Sequence, residues 1–374
     1  MTQFVRDLIC IDSLSKEERS VAERLAQALR DIGAEVRIDD AGSAVGGATG
    51  NVLGRLAGTK PDVAPLLLNA HMDTVGPGKS VKPSISDGRM RADGTTVLGS
   101  DDKSGIAVIV EALRALVDSR APRGDIEIAF TICEEIGLLG AKHLEWDGFR
   151  AREALVLDAP FSTQLVTRAP SADRFEFVVH GLEAHAGMAP EQGISAVRVA
   201  AEAIAAAPLG RVDAQTTSNL VILEGGTATN VIPNRCVVRG EARSHDRNRL
   251  DEVTAAIRRC FQDAAARATA EVGGKLVRAW LEETSEREYE SMHVPDDAPI
   301  VRLMRRSASD LGKPMETVSI LGGSDANVFN QRGITAVILG TGMRDVHTVS
   351  EWLDLEDFYS SAEVVLRALT LAAA

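Results

Sequence analysis

Four short apolar runs, Asn51–Leu56, Pro65–Ala70, Asp125–Ile132 and Glu153–Leu157, most limit what this chain can fold into. Each is one strand long and mostly apolar, as expected of strands in a largely buried sheet. Between the second and third runs, Ser104–Val117 carries an apolar repeat at helical spacing. Upstream, the first residues read as a helix, and Lys16–Ile32 as a second one. Ser15 and Glu18 stand three apart at its start, the spacing of a capping box. Strand and helix in alternation predict an α/β unit built on a buried sheet.

The rhythm changes between about Ala172 and Glu286. Phe175, Phe177 and Val179 alternate with polar residues, as on a half-covered strand. A helix over Ile194–Ala207 follows, then strands near Asn219–Leu223 and Cys236–Glu241. A helix near Arg249–Thr269 and a strand near Leu276–Glu282 complete the series. That order, βαββαβ, is the ferredoxin-like split unit, able to close as a small domain. After it the α/β style returns, with a helix over Pro299–Leu311, a strand Thr335–Leu339 and a final helix Leu355–Leu371. The expected organisation is a discontinuous catalytic domain, 1–171 with 287–374, interrupted by an inserted domain at 172–286. A length of 374 residues suits two domains.

Composition narrows the function. A net charge of −13 and 4% aromatic residues argue against nucleic acid, which needs positive surface and stacking platforms. No apolar stretch is long enough to span a bilayer, and the start lacks a basic leader with an apolar run. Cys10, Cys133, Cys236 and Cys260 are scattered and form no CxxC pair, which fits a reducing, cytoplasmic setting. Serine-hydrolase elbows, HExxH, GxGxxG and Walker-type loops are missing from the sequence.

What remains is a set of ligand-type residues at strand ends. Pro65–Ala70 runs into His71 and Asp73, Asp125–Ile132 into Glu134 and Glu135, and Glu153–Leu157 into Asp158. Thr335–Leu339 leads through a glycine loop to His347, and Asp101 precedes a helix. Ligands of open α/β sheets gather beyond the carboxyl ends of the strands. Two His with several carboxylates suit Zn, Mn or Co, and the surplus of acids suggests two ions. A hydroxide between two ions would attack a carbonyl while a free carboxylate takes the proton. Glu134 and Glu135 can divide the roles of base and ligand either way. Each motif alone is commonplace: an HxD in a loop, a Glu pair on a wet face, an Asp at a helix start. Their joint placement at strand ends carries the inference.

Five stretches together resemble one known family. They are His71-Met-Asp-Thr-Val75, Leu98-Gly-Ser-Asp-Asp-Lys-Ser-Gly105, Glu134-Glu135, Asp158 and Gly181-Leu-Glu-Ala-His-Ala-Gly-Met-Ala-Pro-Glu191. The family is the cocatalytic-zinc peptidase family M20 of tripeptidase T, aminoacylase, glutamate carboxypeptidase and succinyl-diaminopimelate desuccinylase. Asp93-Gly-Thr-Thr-Val-Leu-Gly-Ser-Asp-Asp-Lys103 is most similar to its peptidase T-like members. The resemblance implies a mixed-sheet catalytic domain with a βαββαβ lid that also makes a homodimer contact. It implies two divalent metal ions per chain, zinc by default with Mn or Co possible. His71 and Asp158 would hold one, Glu135 and His347 the other, and Asp101 would bridge. Asp73 would orient His71, and Glu134 would be the general base. His185 would stabilise the oxyanion, in dimeric relatives from across the dimer.

Asn230, Arg243, Gly323 and Ser324 match positions where relatives meet substrate. Arg243 reads equally as a surface Arg, and the loop around Gly323 as a simple turn. His143, His180, His245 and His293 match no ligand position. The expected activity is exopeptidase cleavage of a small peptide, with deacylation of an N-acyl amino acid or carboxypeptidase action as alternatives. A protein of this fold that binds metal or peptide without catalysis is the reading of another class.

Overall fold

The computed structural model describes residues 1–373; Ala374, the last residue of the expected catalytic part, lies outside them. The chain divides into two compact units. The first comprises 1–168, 292–320 and 324 onward, and the second 169–291 with 321–323.

The first unit is built on a nine-stranded mixed sheet. Its centre is four neighbouring parallel strands in the order Ile126–Thr131, Leu66–His71, Glu153–Ala159 and Thr335–Gly340. Leu66–His71 and Ile126–Thr131 are buried at every position, Asn69, His71, Glu127 and Thr131 included, as strands covered on both faces. Antiparallel strands flank the centre: Val52–Leu56 and Glu35–Ile38 on one side, Gln164–Ala169 on the other.

Helix Ser100–Asp118 packs on Leu66–His71 and Glu153–Ala159, and helices Thr2–Ile9 and Leu355–Leu371 pack against it. Ile106, Val108, Ile109, Val110, Leu113 and Leu116 are fully buried there, each contributing roughly 1.5–3 kcal/mol by burial. The close approach of helix to sheet needs Gly105, where a Cβ would stand 2.2 Å from the Leu157 carbonyl oxygen. Because the four central strands are parallel, their carboxyl ends open on one edge of the sheet. His71, Glu134, Glu135 and Asp158 sit at that edge, and the loop after Gly340 carries His347 to it.

A small four-stranded sheet also belongs to this unit, in the order Met343–Arg344, Trp352–Asp354, Arg89–Arg91 and Ser84–Ser86. It holds the loop 345–351 between two of its strands.

The second unit is an antiparallel five-stranded sheet, ordered Gly210–Asp213, Thr216–Gly225, Arg235–Ser244, Ser171–His180 and Trp280–Tyr289. Helices Ala196–Ala206 and Arg247–Arg267 pack on one face, with Phe175, Phe177 and Phe261 at the core. Phe177 and Phe261 stack with centroids 4.2 Å apart. Two features depart from the expected βαββαβ order. A short strand, Gly210–Asp213, pairs with the start of Thr216–Gly225. The expected strand near Leu276–Glu282 is split between a hairpin, Thr269–Val272 with Lys275–Arg278, and the long strand Trp280–Tyr289. That strand runs past residue 286, where sequence placed the end of the insertion. Among the described residues no helix is long and apolar enough to cross a membrane.

Candidate metal and hydrolytic site

His71 ends its strand with a buried imidazole. Its Nδ1 lies 2.9 Å from the backbone carbonyl of Asp73, which makes Nδ1 the protonated nitrogen. Nε2 lies 3.1 Å from Asp101 Oδ1 and donates to it when protonated; with that proton gone it offers a lone pair to a cation. The other oxygen of Asp101 lies 3.1 Å from His347 Nε2, and that nitrogen is 2.9 Å from Glu135 Oε1. Asp101 thus stands between the two histidines. Asp158 completes a second cluster, in which ligand atoms of His71, Asp102 and Asp158 lie within 4.8 Å of one another; so do those of His71, Asp101 and Glu135.

Asp102 is next to Asp101, through a cis peptide bond, but its carboxylate is engaged elsewhere. It accepts the N–H of His71 at 3.3 Å and of Gly105 at 3.0 Å.

Asp73 acts through two groups. Its carbonyl oxygen meets His71, while its carboxylate stands 3.5 Å from the same nitrogen. The carboxylate instead accepts the backbone N–H of Glu134 at 2.9 Å, that of Glu135 at 3.2 Å and the hydroxyl of Ser15 at 2.7 Å. The expected capping box is therefore absent. Helix Arg19–Asp31 has no side-chain cap bond, because Ser15 donates to Asp73 and Glu18 accepts from Lys16 and Cys133 N–H groups. Both residues secure the loop that carries Glu134 and Glu135.

Burial and crowding set the charges. Burial pushes Glu134, Asp158 and Asp102 well above the usual carboxylate range, and neighbouring carboxylates add to the rise. Burial also raises Glu135, with the Asp101 charge adding to it. Asp101 goes the other way: burial would raise it, but hydrogen bonds from His347 and His71 hold it well below the usual range. His347 is pushed up to about 10 by its bonds to Asp101 and Glu135. A cluster with this many carboxylates and two imidazoles turned toward them is a donor set that fits divalent cations. Glu134 is also buried there, and its carboxylate makes no hydrogen bond among the described residues.

In the second unit, Ala186 N–H donates to the Asn230 carbonyl at 2.9 Å, and His185 pairs with Val231, so His185 and Asn230 are neighbours. His185 is exposed, and its Nδ1 accepts the N–H groups of Gly187 and Met188 at 3.1 Å each. Its Nε2 therefore carries the proton and points a donor outward. Arg243 is half-buried against Glu241 at 2.9 Å, with Nη1 3.4 Å from the Leu321 carbonyl.

Gly323 leaves no room for a side chain, since a Cβ would meet the Tyr289 ring at 2.2 Å. Ser324 is buried as the N-cap of helix Asp325–Gln331, in a capping box with Asn327. Sequence missed Glu351, Asp325 and Ser15. Asp325 is buried, and burial raises its carboxyl to about 6. It accepts from Thr131 at 2.5 Å and Asn69 at 3.3 Å, which lie on the two strands that deliver His71 and Glu134. The only signal for it was an acid in a loop otherwise read as a turn.

Residues 67–371 match the family model described as peptidase family M20/M25/M40. The chain is 35% identical over 98% of its length to the uncharacterized protein YqjE of Bacillus subtilis, covering 96% of it. Among solved structures it is similar to the aminopeptidase PepT of Bacillus cereus, at 35% identity and a TM-score of 0.85. That match covers 100% of this chain and 98% of the other. A tripeptidase of Staphylococcus aureus aligns at 32% identity with a TM-score of 0.90, covering 100% and 97%.

Proposed function

Because the chain belongs to peptidase family M20/M25/M40, we propose that it is an exopeptidase releasing an amino-terminal residue from small peptides, most readily tripeptides. The observation that carries this reading is Asp101 shared between His71 and His347, with Glu135 and Asp158 flanking and Glu134 left without a side-chain partner. His71 and Asp158 would hold one divalent cation, Glu135 and His347 the other, and Asp101 both, with zinc the default and Mn or Co able to replace it. Bound there, such ions would polarise the scissile carbonyl and acidify a water.

The protein's own groups do the rest. Asp73 fixes the Nδ1–H tautomer of His71 through its carbonyl and pins the backbone of Glu134 through its carboxylate. Glu134 takes a proton from the attacking water and returns it to the departing amine. His185 Nε2–H is read as the donor to the carbonyl oxygen as negative charge develops. Arg243 is read as a partner for the substrate's terminal carboxylate, and Asn230 as a polar contact beside His185. The Gly323–Ser324 loop is read as contacting substrate through its backbone, since Ser324 Oγ is committed to its cap.

The second unit is read as the lid and as the contact of a homodimer. In support, Thr216–Gly225 pairs with Gly210–Asp213 only as far as Ser218, and beyond that Val221, Ile222 and Leu223 are exposed.

The deciding experiment measures metal content and hydrolysis of a tripeptide panel, free and N-blocked. About two metals per chain with cleavage of free tripeptides alone supports the exopeptidase reading. Cleavage of N-blocked substrates moves the assignment to deacylase or carboxypeptidase. No metal and no turnover after addition of Zn, Mn or Co refutes it.

A further inference from the structure

The ligands proposed for the two cations are held in different ways. His71 and Asp158 lie at the ends of neighbouring parallel strands, so the hydrogen-bonded sheet sets their positions. Asp101 and His347 have no such support. Asp101 sits where the helix Ser100–Asp118 departs from helical geometry, and His347 lies in the loop 345–351 with φ of +64°. Something else must fix one against the other.

Glu351 stands between them. It is 2% exposed and lies four residues beyond His347. Its Oε2 accepts the N–H of Gly99 at 2.9 Å; its Oε1 accepts the hydroxyl of Ser100 at 2.6 Å and the N–H of Asp101 at 3.1 Å. One carboxylate thus takes three donors from consecutive residues ending at Asp101. On its own side the loop is folded on itself. Glu351 N–H donates to the Thr348 carbonyl at 3.1 Å, Ser350 N–H to Thr348 Oγ1 at 3.2 Å, and Thr348 Oγ1 to the Asp345 carbonyl at 2.7 Å. The contact between Asp101 Oδ2 and His347 Nε2 closes the ring.

We propose that Glu351 is a positioning residue that locks the Asp101 loop to the His347 loop and so builds the cation site made by Asp101, Glu135 and His347. It touches neither substrate nor cation and acts only through the backbone and hydroxyl it holds. The inference rests on the two-cation reading above and adds an asymmetry to it: beside the shared Asp101, one cation keeps two ligands set by the sheet, whereas the other relies on His347, whose loop Glu351 ties to Asp101.

Glu351→Gln tests it with little change in volume. An amide has one accepting oxygen, so its nitrogen is set against either the Gly99 N–H or the donors at Ser100 and Asp101, leaving buried N–H groups unmatched. Metal-stripped wild type and variant are titrated with Co²⁺ by calorimetry, and the visible spectrum is followed. Wild type is expected to take up two equivalents. In the variant the first equivalent should bind within about twofold of wild type, and the second roughly 10–100-fold more weakly, the range for losing a residue that orients a metal ligand. Excess Co²⁺ should then restore most of kcat with KM little changed. Ser100→Ala, which removes one of the three donors, should show the same selective weakening to a smaller degree, and it decides the matter if Glu351→Gln fails to fold. Equal affinities in variant and wild type, or equal weakening of both equivalents, overturns the proposal and leaves the two-cation reading standing. A wild type that binds no Co²⁺ refutes that reading and this one together.

Discussion

At the scale of single residues, the site works by giving each acid a different task. Asp73 spends its carboxylate on the backbone of Glu134 and Glu135 and its carbonyl on His71. Asp102 spends its own on the N–H groups of His71 and Gly105. Glu134 has no hydrogen-bonding partner for its carboxylate among the described residues, which suits a proton carrier and not a strut. Replacing it with Gln keeps the shape and removes the ability to accept a proton. Glu134→Gln should lower kcat by roughly 10²–10⁴-fold, the usual worth of a positioned general base, while metal content stays at the wild-type level. Full activity in the variant would refute the assignment; a parallel loss of metal would make Glu134 a ligand instead. At this scale the sequence was informative where a residue type is chemically restrictive, as with His71, Asp101, Glu135, Asp158 and His347, which the structure brings together. It misled at Ser15 and Glu18. A Ser and a Glu three apart before an apolar repeat satisfy the local rule for a cap, and nothing local reveals that Asp73, 58 residues on, takes the hydroxyl. Glu351 was silent for the same reason: its three donors lie 250 to 252 residues away.

Elements follow the same division between local and distant causes. The central strands were readable because both of their faces are buried, so apolar residues dominate them. The four-stranded sheet of 84–86, 89–91, 343–344 and 352–354 was not, since two or three residues hold no period and it is Arg89, Arg91 and Arg344 that gather around Trp352. Trp280–Tyr289 carries exposed carboxylates along most of its length and pairs with Ser171–His180 alone, so its strand character comes from a partner 100 residues away.

One element is fastened by charge. Asp125, just before strand Ile126–Thr131, accepts Gly58 N–H at 2.7 Å and Arg55 Nη2 at 2.8 Å, and pairs with Arg150. The Arg55 bond, then the Gly58 N–H, outweigh burial and hold its carboxyl well below the usual range. A depressed native value gives stability that is complete above the unfolded-state value of about 3.9 and is lost as pH falls toward the native one. The contacts are partly exposed, so their worth is about 0.2–1 kcal/mol. Asp125→Asn should therefore lower Tm by about 1–4 °C at pH 7, with the gap steady down to about pH 5 and narrowing at pH 4 and below. A gap that widens on acidification would show the sign of this argument to be wrong.

An edge strand that leaves Val221, Ile222 and Leu223 exposed offers unpaired backbone and apolar surface together, which favours pairing with a second copy. If that pairing makes the dimer, Val221→Asp with Leu223→Asp should give a monomer by light scattering, with the circular dichroism of the wild type. A dimer that persists would place the contact elsewhere. The dimer matters for catalysis only if His185 serves the partner's site, and the two arrangements can be separated by mixing inactive subunits. Glu134→Gln would lack the base, and His185→Ala would lack the oxyanion donor. In a mixed dimer acting across the interface, the site with Glu134 intact belongs to the His185→Ala chain and receives His185 from its partner, so one site in two is whole. Action within one chain leaves both sites of the mixed dimer defective. Mixing equal amounts, with tags to verify that subunits exchange, should restore up to about a quarter of wild-type activity if His185 acts in trans, because half the dimers are mixed and each has one whole site. Verified exchange without recovery would place His185 in its own chain's site.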